Sequence, residues 1–327
     1  MPYIGNSSYE TDFIFQNGHI STIYAGIVSK LEAPAYQRQR LPLADGDFLL
    51  LDYIIKDSKK AIILCHGLEG NSKKNYNNAC ANFFLEKEYT VFAWNNRSCG
   101  GEMNLLPNLY HHASIDDLEA VIKYVLAQNF QEIFLVGFSL GGDQILNYIG
   151  RKVVSEKIKA AVAISAPFQL KSSAEKIQGG ISKIYLSRFI RKIRGKIQHK
   201  AIQFPGLISK EVSKNIKSFE DVIDRFIVPV HGEYANLADY YKRASPAYSI
   251  DGINLPVLVI NAWDDPILGK EDHPIAMAEQ HKYLYLEIPR HGGHCAFPLK
   301  ISKHPYSVVR AFEFIEMHTK CKRWDAN

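Results

Sequence analysis

The chain has 327 residues, a formal net charge of +5, 46% hydrophobic residues and 22% charged residues. This length suits one large α/β domain with an insertion, or two smaller domains. The composition is that of an ordinary globular protein, and the mild positive charge does not imply nucleic acid or membrane as partner.

No uncharged apolar run approaches the roughly 18 residues of a membrane span. The opening MPYIGNSSYETDF has neither the basic nor the apolar region of a signal peptide. Five cysteines (Cys65, Cys80, Cys99, Cys295 and Cys321) form no C-x-x-C pair. They read as reduced thiols, and the location expected is cytoplasmic.

In chain order, residues 37–56 read as two strands around a turn at Asp45-Gly46. Apolar runs with strand character follow at 61–65, 90–95, 132–137, 160–164, 256–261 and 283–288. Helical patterns lie between several of them, at 75–86, 115–128, 141–150, 274–282 and 306–319. Near-continuous apolar strands alternating with helices predict an α/β fold with a mainly parallel sheet covered on both faces.

The alternation stops near Pro167 and resumes near Pro256. The stretch between them is polar and helical. The expected organisation is a core from 1–166 and 250–327, with a helical cap insertion at 167–249. Within it, Leu186, Phe189, Ile190, Ile193 and Ile197 fall at helical spacing, with Lys183, Arg188, Arg191, Lys192, Arg194 and Lys196 between them. A basic amphipathic helix of this kind either touches an anionic membrane or lines an acyl pocket. The plainer expectation is a lid helix with its apolar stripe on the core and its basic face in water.

The chemistry centres on Gly137-Phe138-Ser139-Leu140-Gly141, which follows the apolar run at 132–136 and opens a helix. A G-x-S-x-G turn between strand and helix presents its serine as a nucleophile. A serine that merely caps the helix is the alternative, so partners must decide. An activated serine needs a base, and an acid to orient that base, arriving later in the chain.

Ala262-Trp263-Asp264-Asp265-Pro266 follows one late strand, and Pro289-Arg290-His291-Gly292-Gly293-His294 follows the next. Consecutive aspartates cannot both face one imidazole. Asp265 is preferred as the acid because Pro266 fixes the chain's exit, leaving Asp264 as a cap or ion-pair partner. His294, behind two glycines, is preferred as the base, and His291 as a loop-positioning group. The oxyanion donors expected are the backbone N–H groups of Leu140 and of Leu68, in the turn His66-Gly67-Leu68-Glu69-Gly70. Neither the His291/His294 pair nor the His111-His112 doublet has metal-site spacing, and nucleotide-binding loops are absent. No metal or cofactor is expected.

Together these motifs resemble the α/β-hydrolase superfamily, and more narrowly its YheT-like branch, the fourth AB-hydrolase family. NGHISTIY looks like that branch's N-P-H-x-Q-T segment. RLPLADGDFLLLDY, HGLEG, NNRSCGGEMNLLPNLYH, GFSLGG, HGEYANLADYYKRAS, AWDDP and HGGHCAF follow in family order. The chain departs at Gly18, where the family often has Pro, and at Ser98 and Ala296, where it often has Gly.

The resemblance implies an α/β-hydrolase fold and a triad of Ser139, Asp265 and His294. It implies an oxyanion hole at Leu68 and Leu140, supported by His66, Gly67, Gly137 and Gly141. Arg97 and Tyr110-His111 read as structural ties. The implied activity is hydrolysis of short- to medium-chain carboxylic esters. Some members of the branch act on phospholipids or as acyltransferases, and a non-catalytic binding protein is a third reading. The partner expected is a small-molecule or lipid ester, with peripheral contact to anionic membrane through the basic helix, and no nucleic acid.

Overall fold

The computed structural model describes residues 3–320 apart from residues 6, 30, 300, 301 and 303, so Cys321 lies outside the described residues. Strand β1 (Tyr3–Ile4) and helix α1 (Gly18–Ile23) come first. A hairpin of β2 (Gln37–Pro42) and β3 (Phe48–Ile54) follows. Its turn holds Gly46 at φ +86°, a left-handed backbone that favours glycine.

The alternating part runs β4 (Lys60–Cys65), α2 (Asn75–Glu86), β5 (Thr90–Asn95), α3 (Ile115–Leu126), β6 (Glu132–Phe138), α4 (Leu140–Arg151) and β7 (Ile158–Ile164). Six helices then intervene: α5 (Leu170–Ile177), α6 (Lys183–Gln203), α7 (Lys210–Asn215), α8 (Phe219–Val222), α9 (Val228–His231) and α10 (Leu237–Ala244). The alternation resumes with β8 (Val257–Ile260), α11 (Ile275–Gln280), β9 (Leu284–Glu287) and α12 (Tyr306–Lys320).

The described strands form one nine-stranded sheet in the order β1-β9-β8-β7-β6-β4-β5-β3-β2. The β2–β3 and β3–β5 pairs are antiparallel and the others parallel. Because strand side chains alternate, β4 serves two cores at once. Ile63 and Cys65 pack with Val121 of α3 and Ile145 of α4 on one face. Ile62 and Leu64 pack with Phe84 of α2 and Phe314 of α12 on the other. Burial on both faces explains why these strands read as unbroken apolar runs.

The intervening helices have a core of their own, in which Leu186, Ile190, Ile193 and Ile197 of α6 meet Phe226 and Tyr240. The apolar stripe expected on α6 is therefore packed. The basic face expected in water is divided: Lys183, Arg188 and Arg191 are exposed, while another set turns to the core. Lys192, Lys196 and Lys200, four residues apart, send their ammonium groups to Glu69 O, Glu69 Oε1 and Asn104 O at 3.1, 2.7 and 2.5 Å. Core-loop acceptors attract that stripe inward, and burial pulls the Lys200 ammonium pKa down to about 8.

Candidate active site

Ser139 stands alone between β6 and α4, at φ +53° and ψ −123°. A non-glycine residue there stores about 1–3 kcal/mol of strain. Its neighbours permit the turn because they lack side chains. A Cβ on Gly137 would lie 2.4 Å from Gly141 O, and one on Gly141 would lie 2.3 Å from Cys65 O. The helix is thus set directly against β4 and β6. The Ser139 N–H donates to Ile164 O at 2.8 Å, tying the turn to β7. Leu140 is the first residue of α4, so its N–H has no intrahelical acceptor.

The loop after β4 passes beside this turn, and a Cβ on Gly67 would sit 3.1 Å from Ser139 Cβ. The Gly67 N–H donates to the Tyr76 hydroxyl at 3.0 Å. Glu69, at φ +54°, donates its N–H to Tyr110 Oη at 2.7 Å, and that hydroxyl donates back to Glu69 Oε1 at 2.9 Å. Leu68 lies between these two anchors, and its N–H meets no protein acceptor among the described residues.

His66 is held in one tautomer. Its Nε2 accepts the Asn96 N–H at 3.0 Å, so Nδ1 carries the proton and donates to Gly67 O at 2.7 Å. Burial lowers its pKa to about 4. His66 is therefore a neutral brace under the Leu68 loop.

Asp265 and His294 meet. The imidazole Nδ1 lies 2.8 Å from Asp265 Oδ2 and 3.1 Å from Oδ1. Asp265 is fixed in turn by the N–H groups of Ile267 and Leu268, at 2.8 and 3.2 Å. Burial alone would push the His294 pKa down, but the Asp265 carboxylate outweighs it and holds the imidazole well above its ordinary range.

Asp264 takes a different direction. It accepts the Gly293 N–H at 2.9 Å, with His291 Nδ1 at 3.5 Å from its other oxygen. The His294 loop is then pinned at three consecutive N–H groups. Gly293 donates to Asp264, His294 to the Thr22 hydroxyl at 2.9 Å, and Cys295 to the Ser165 hydroxyl at 2.9 Å. Neither Thr22 nor Ser165 lies in a motif that marks it in the sequence. A Cβ on Gly18 would fall 1.8 Å from Asp264 O, so this close approach requires glycine.

Arg97 donates to Asp117 at 2.7 and 2.8 Å and to Asp47 at 3.1 Å, all buried, which makes it a tie between β5 and its neighbours. Ser139, His294, Leu68 and Leu140 line one cavity that opens partly to solvent. Its far wall is apolar and comes from the intervening helices, including Ile177, Phe189, Ile193, Phe219, Val222 and Phe226. The cavity could take an apolar chain beside Ser139.

Among the described residues, one group of side chains has metal-ligand types at ligand spacing: His111, His231 and Glu233. The Ala113 N–H donates to His111 Nδ1 at 3.2 Å, which leaves the proton on Nε2, the atom 3.8 Å from Glu233. His231 Nε2 donates to Leu109 O at 3.0 Å. With the His111 lone pair already used, this cluster is a hydrogen-bonded seam between α9 and the loop after β5.

Residues 60–300 match the model of the alpha/beta hydrolase fold family. YheT of Escherichia coli (strain K12) is 25% identical over 300 residues, covering 89% of this chain and 87% of that protein. Mouse phospholipase ABHD3 is 28% identical, covering 90% of this chain and 74% of its own. The monoacylglycerol lipase of Saccharomyces cerevisiae is 30% identical over 252 residues, covering 73% of this chain and 55% of that protein. Among solved structures, a Pyrococcus furiosus esterase superposes with a TM-score of 0.58 at 15% identity, over 86% of this chain and 90% of its own. With the sheet order, the strand-to-helix turn at Ser139 and the match across residues 60–300, the chain belongs to the alpha/beta hydrolase fold family.

Proposed function

We propose that this chain is a serine hydrolase of the carboxylesterase type, cleaving short- to medium-chain carboxylic esters through an acyl-enzyme on Ser139. The observation that carries the reading is the buried Asp265–His294 pair opening onto the same apolar cavity as Ser139. Relatives named as a phospholipase and a monoacylglycerol lipase support ester chemistry.

In this reading Ser139 Oγ attacks the ester carbonyl carbon while His294 Nε2 takes its proton. Asp265 accepts from Nδ1–H and stabilises the imidazolium. The N–H groups of Leu68 and Leu140 receive the negative oxygen, each donor contributing about 3 kcal/mol. His294 then protonates the departing alkoxide. A water, deprotonated by the same imidazole, releases the acid and restores Ser139. Residues 167–249 act as a cap that bounds the acyl chain, on a core formed by 1–166 and 250–327. The free, buried thiols of Cys65, Cys80, Cys99 and Cys295 fit a reducing compartment such as the cytoplasm.

A second reading uses the same triad in a phospholipase or acyltransferase at a membrane surface, favoured by the apolar cavity wall and the cationic α6. No described helix is long and apolar enough to cross a membrane.

The decisive experiment pairs a fluorophosphonate probe with a p-nitrophenyl ester series of increasing acyl length. Labelling and turnover are expected for the wild type and lost in Ser139→Ala, with an optimum at short or medium chains. Equal labelling of both proteins overturns the serine mechanism. Turnover confined to aggregated long-chain lipid selects the second reading, and no turnover of any ester leaves a binding protein.

A further inference from the structure

The N-terminal segment and the start of α6, which touch through His19 and Tyr185, both expose apolar side chains. Phe13, 88% exposed, and Ile14 lie on a short 3-10 turn, and Ile20 and Ile23 share one exposed face of α1. At the start of α6, Ile181 and Ile184 are exposed as well, the latter to 68%. His19 and Tyr185 stitch the two elements together. Their rings stack with centroids 5.8 Å apart, and His19 Nδ1 lies 3.1 Å from the Tyr185 hydroxyl. Ile20 and Ile184 are the adjoining residues in each chain segment. Ser182 donates to Pro266 O at 2.6 Å, which places this junction next to Asp265.

The charge of α6 is one-sided. The helix contains no acidic residue. While Lys192 and Lys196 turn to Glu69, the exposed Lys183, Arg188 and Arg191 meet no carboxylate among the described residues. From Ile184, Arg188 and Arg191 follow at helical spacing on the same outward face. The opposite edge of α6 carries Phe189 and Ile193 into the cavity that Ser139 lines. One helix diameter, about 10 Å, separates the outward face from the reactive pocket. Exposed apolar side chains next to unpaired cations complement one surface above others: a bilayer leaflet carrying anionic headgroups.

We propose that Phe13, Ile14, Ile20, Ile23, Ile181 and Ile184, flanked by Lys183, Arg188 and Arg191, dock the protein on an anionic lipid surface. The inference rests on the reading that the cavity receives an ester, and it makes that ester one drawn from a lipid interface. The apolar residues enter the acyl boundary while the cations bind phosphate oxygens.

The test is co-sedimentation with vesicles of phosphatidylcholine alone and of phosphatidylcholine with phosphatidylglycerol, at low and high salt. The wild type is expected to bind the anionic vesicles and to weaken with salt. R188E/R191E should lower partitioning at low salt by about tenfold or more. F13S/I184S should lower it by a similar factor, with the residual binding more sensitive to salt. Both variants should turn over a soluble short-chain chromogenic ester like the wild type. Ser139→Ala should partition like the wild type, so a failed serine mechanism and a failed docking surface give different results. Wild-type indifference to anionic vesicles at low salt overturns the proposal, as does unchanged binding by both variants. A dimer seen by light scattering that F13S/I184S abolishes, without vesicle binding, assigns the face to a second copy instead and also overturns it.

Discussion

Thr22 and His294 are 272 residues apart, yet the Thr22 hydroxyl oxygen accepts the His294 backbone N–H at 2.9 Å while donating to Gly18 O at 2.6 Å. The proposed base is thus held by the first helix of the chain. Replacing Thr22 with Val keeps its shape and strands a donor in a largely buried loop, a cost of about 1–3 kcal/mol. Thr22→Val is expected to lower kcat for a short-chain ester roughly tenfold, with Thr22→Ser close to wild type. Equal activity of Val and Ser variants in steady-state assays would show that the loop holds its shape without this bond.

The Asp265–His294 pair predicts a pH profile. Burial alone would lower the His294 pKa, but Asp265 raises it well above its ordinary range, and acylation needs the uncharged imidazole. The rate should therefore climb with pH through that raised value. Asp265→Asn removes the raising charge, so the acidic limb of kcat/KM should move to lower pH while kcat falls on the order of ten-thousand-fold. The pair also affects stability, with a definite sign. Its contribution is complete below about pH 6.5, the unfolded imidazole value, and is lost as pH rises through the folded value. Urea titrations of wild type and Asp265→Asn across that window measure it.

His66 acts in the opposite sense. With Nε2 accepting from Asn96 N and the pKa lowered by burial to about 4, the folded protein refuses a proton that the unfolded chain accepts below about pH 6.5. Stability should fall as pH drops from about 6.5 towards 4, by about 3 kcal/mol at most from this residue. His66→Gln is expected to be less stable at neutral pH but to lose less on acidification. Urea midpoints at two pH values decide this, and parallel slopes for both proteins would count against it.

Lys196 and Glu69 join α6 to the loop that carries Leu68, at 2.7 Å and with both side chains largely buried. Removing one partner leaves the other charge poorly compensated, at a cost of about 3 kcal/mol. Lys196→Met should lower the denaturation midpoint and also kcat, because Glu69 adjoins a proposed oxyanion donor. Adding Glu69→Gln should restore part of the stability. A double-mutant cycle with no coupling energy would show that the two side chains act independently.

Much of this arrangement is legible in the sequence because its signals are local. Strands buried on both faces announce themselves as apolar runs, and a serine between Gly137 and Gly141 after such a run marks the turn. The preference for Asp265 over Asp264 rests on Pro266, and in the structure Asp265 faces the imidazole while Asp264 faces the loop backbone. What escaped depends on contacts between distant segments. β1 has two residues, too few for any periodicity, and exists through pairing with β9. Thr22 and Ser165 are ordinary residues until the His294 loop arrives. The inward turn of Lys192, Lys196 and Lys200 has no local signature either, since a lysine ladder on an amphipathic helix reads as a solvated face until Glu69 and Asn104 are placed beneath it.

The position of β9 between β8 and β1 bears on how the protein is made. A nascent chain can stack β4, β5, β6 and β7 as they leave the ribosome, with Ser139 already in its strained turn. The first strand must wait for the last one, and Thr22 must wait for the loop that follows it. Synthesis therefore reaches a point where Ser139 is folded but His294, its proposed proton acceptor, has not been translated. Under the proposed mechanism, a chain that stops short of His294 is inert towards esters, and reactivity begins only when the segment carrying Thr22 meets the loop carrying His294.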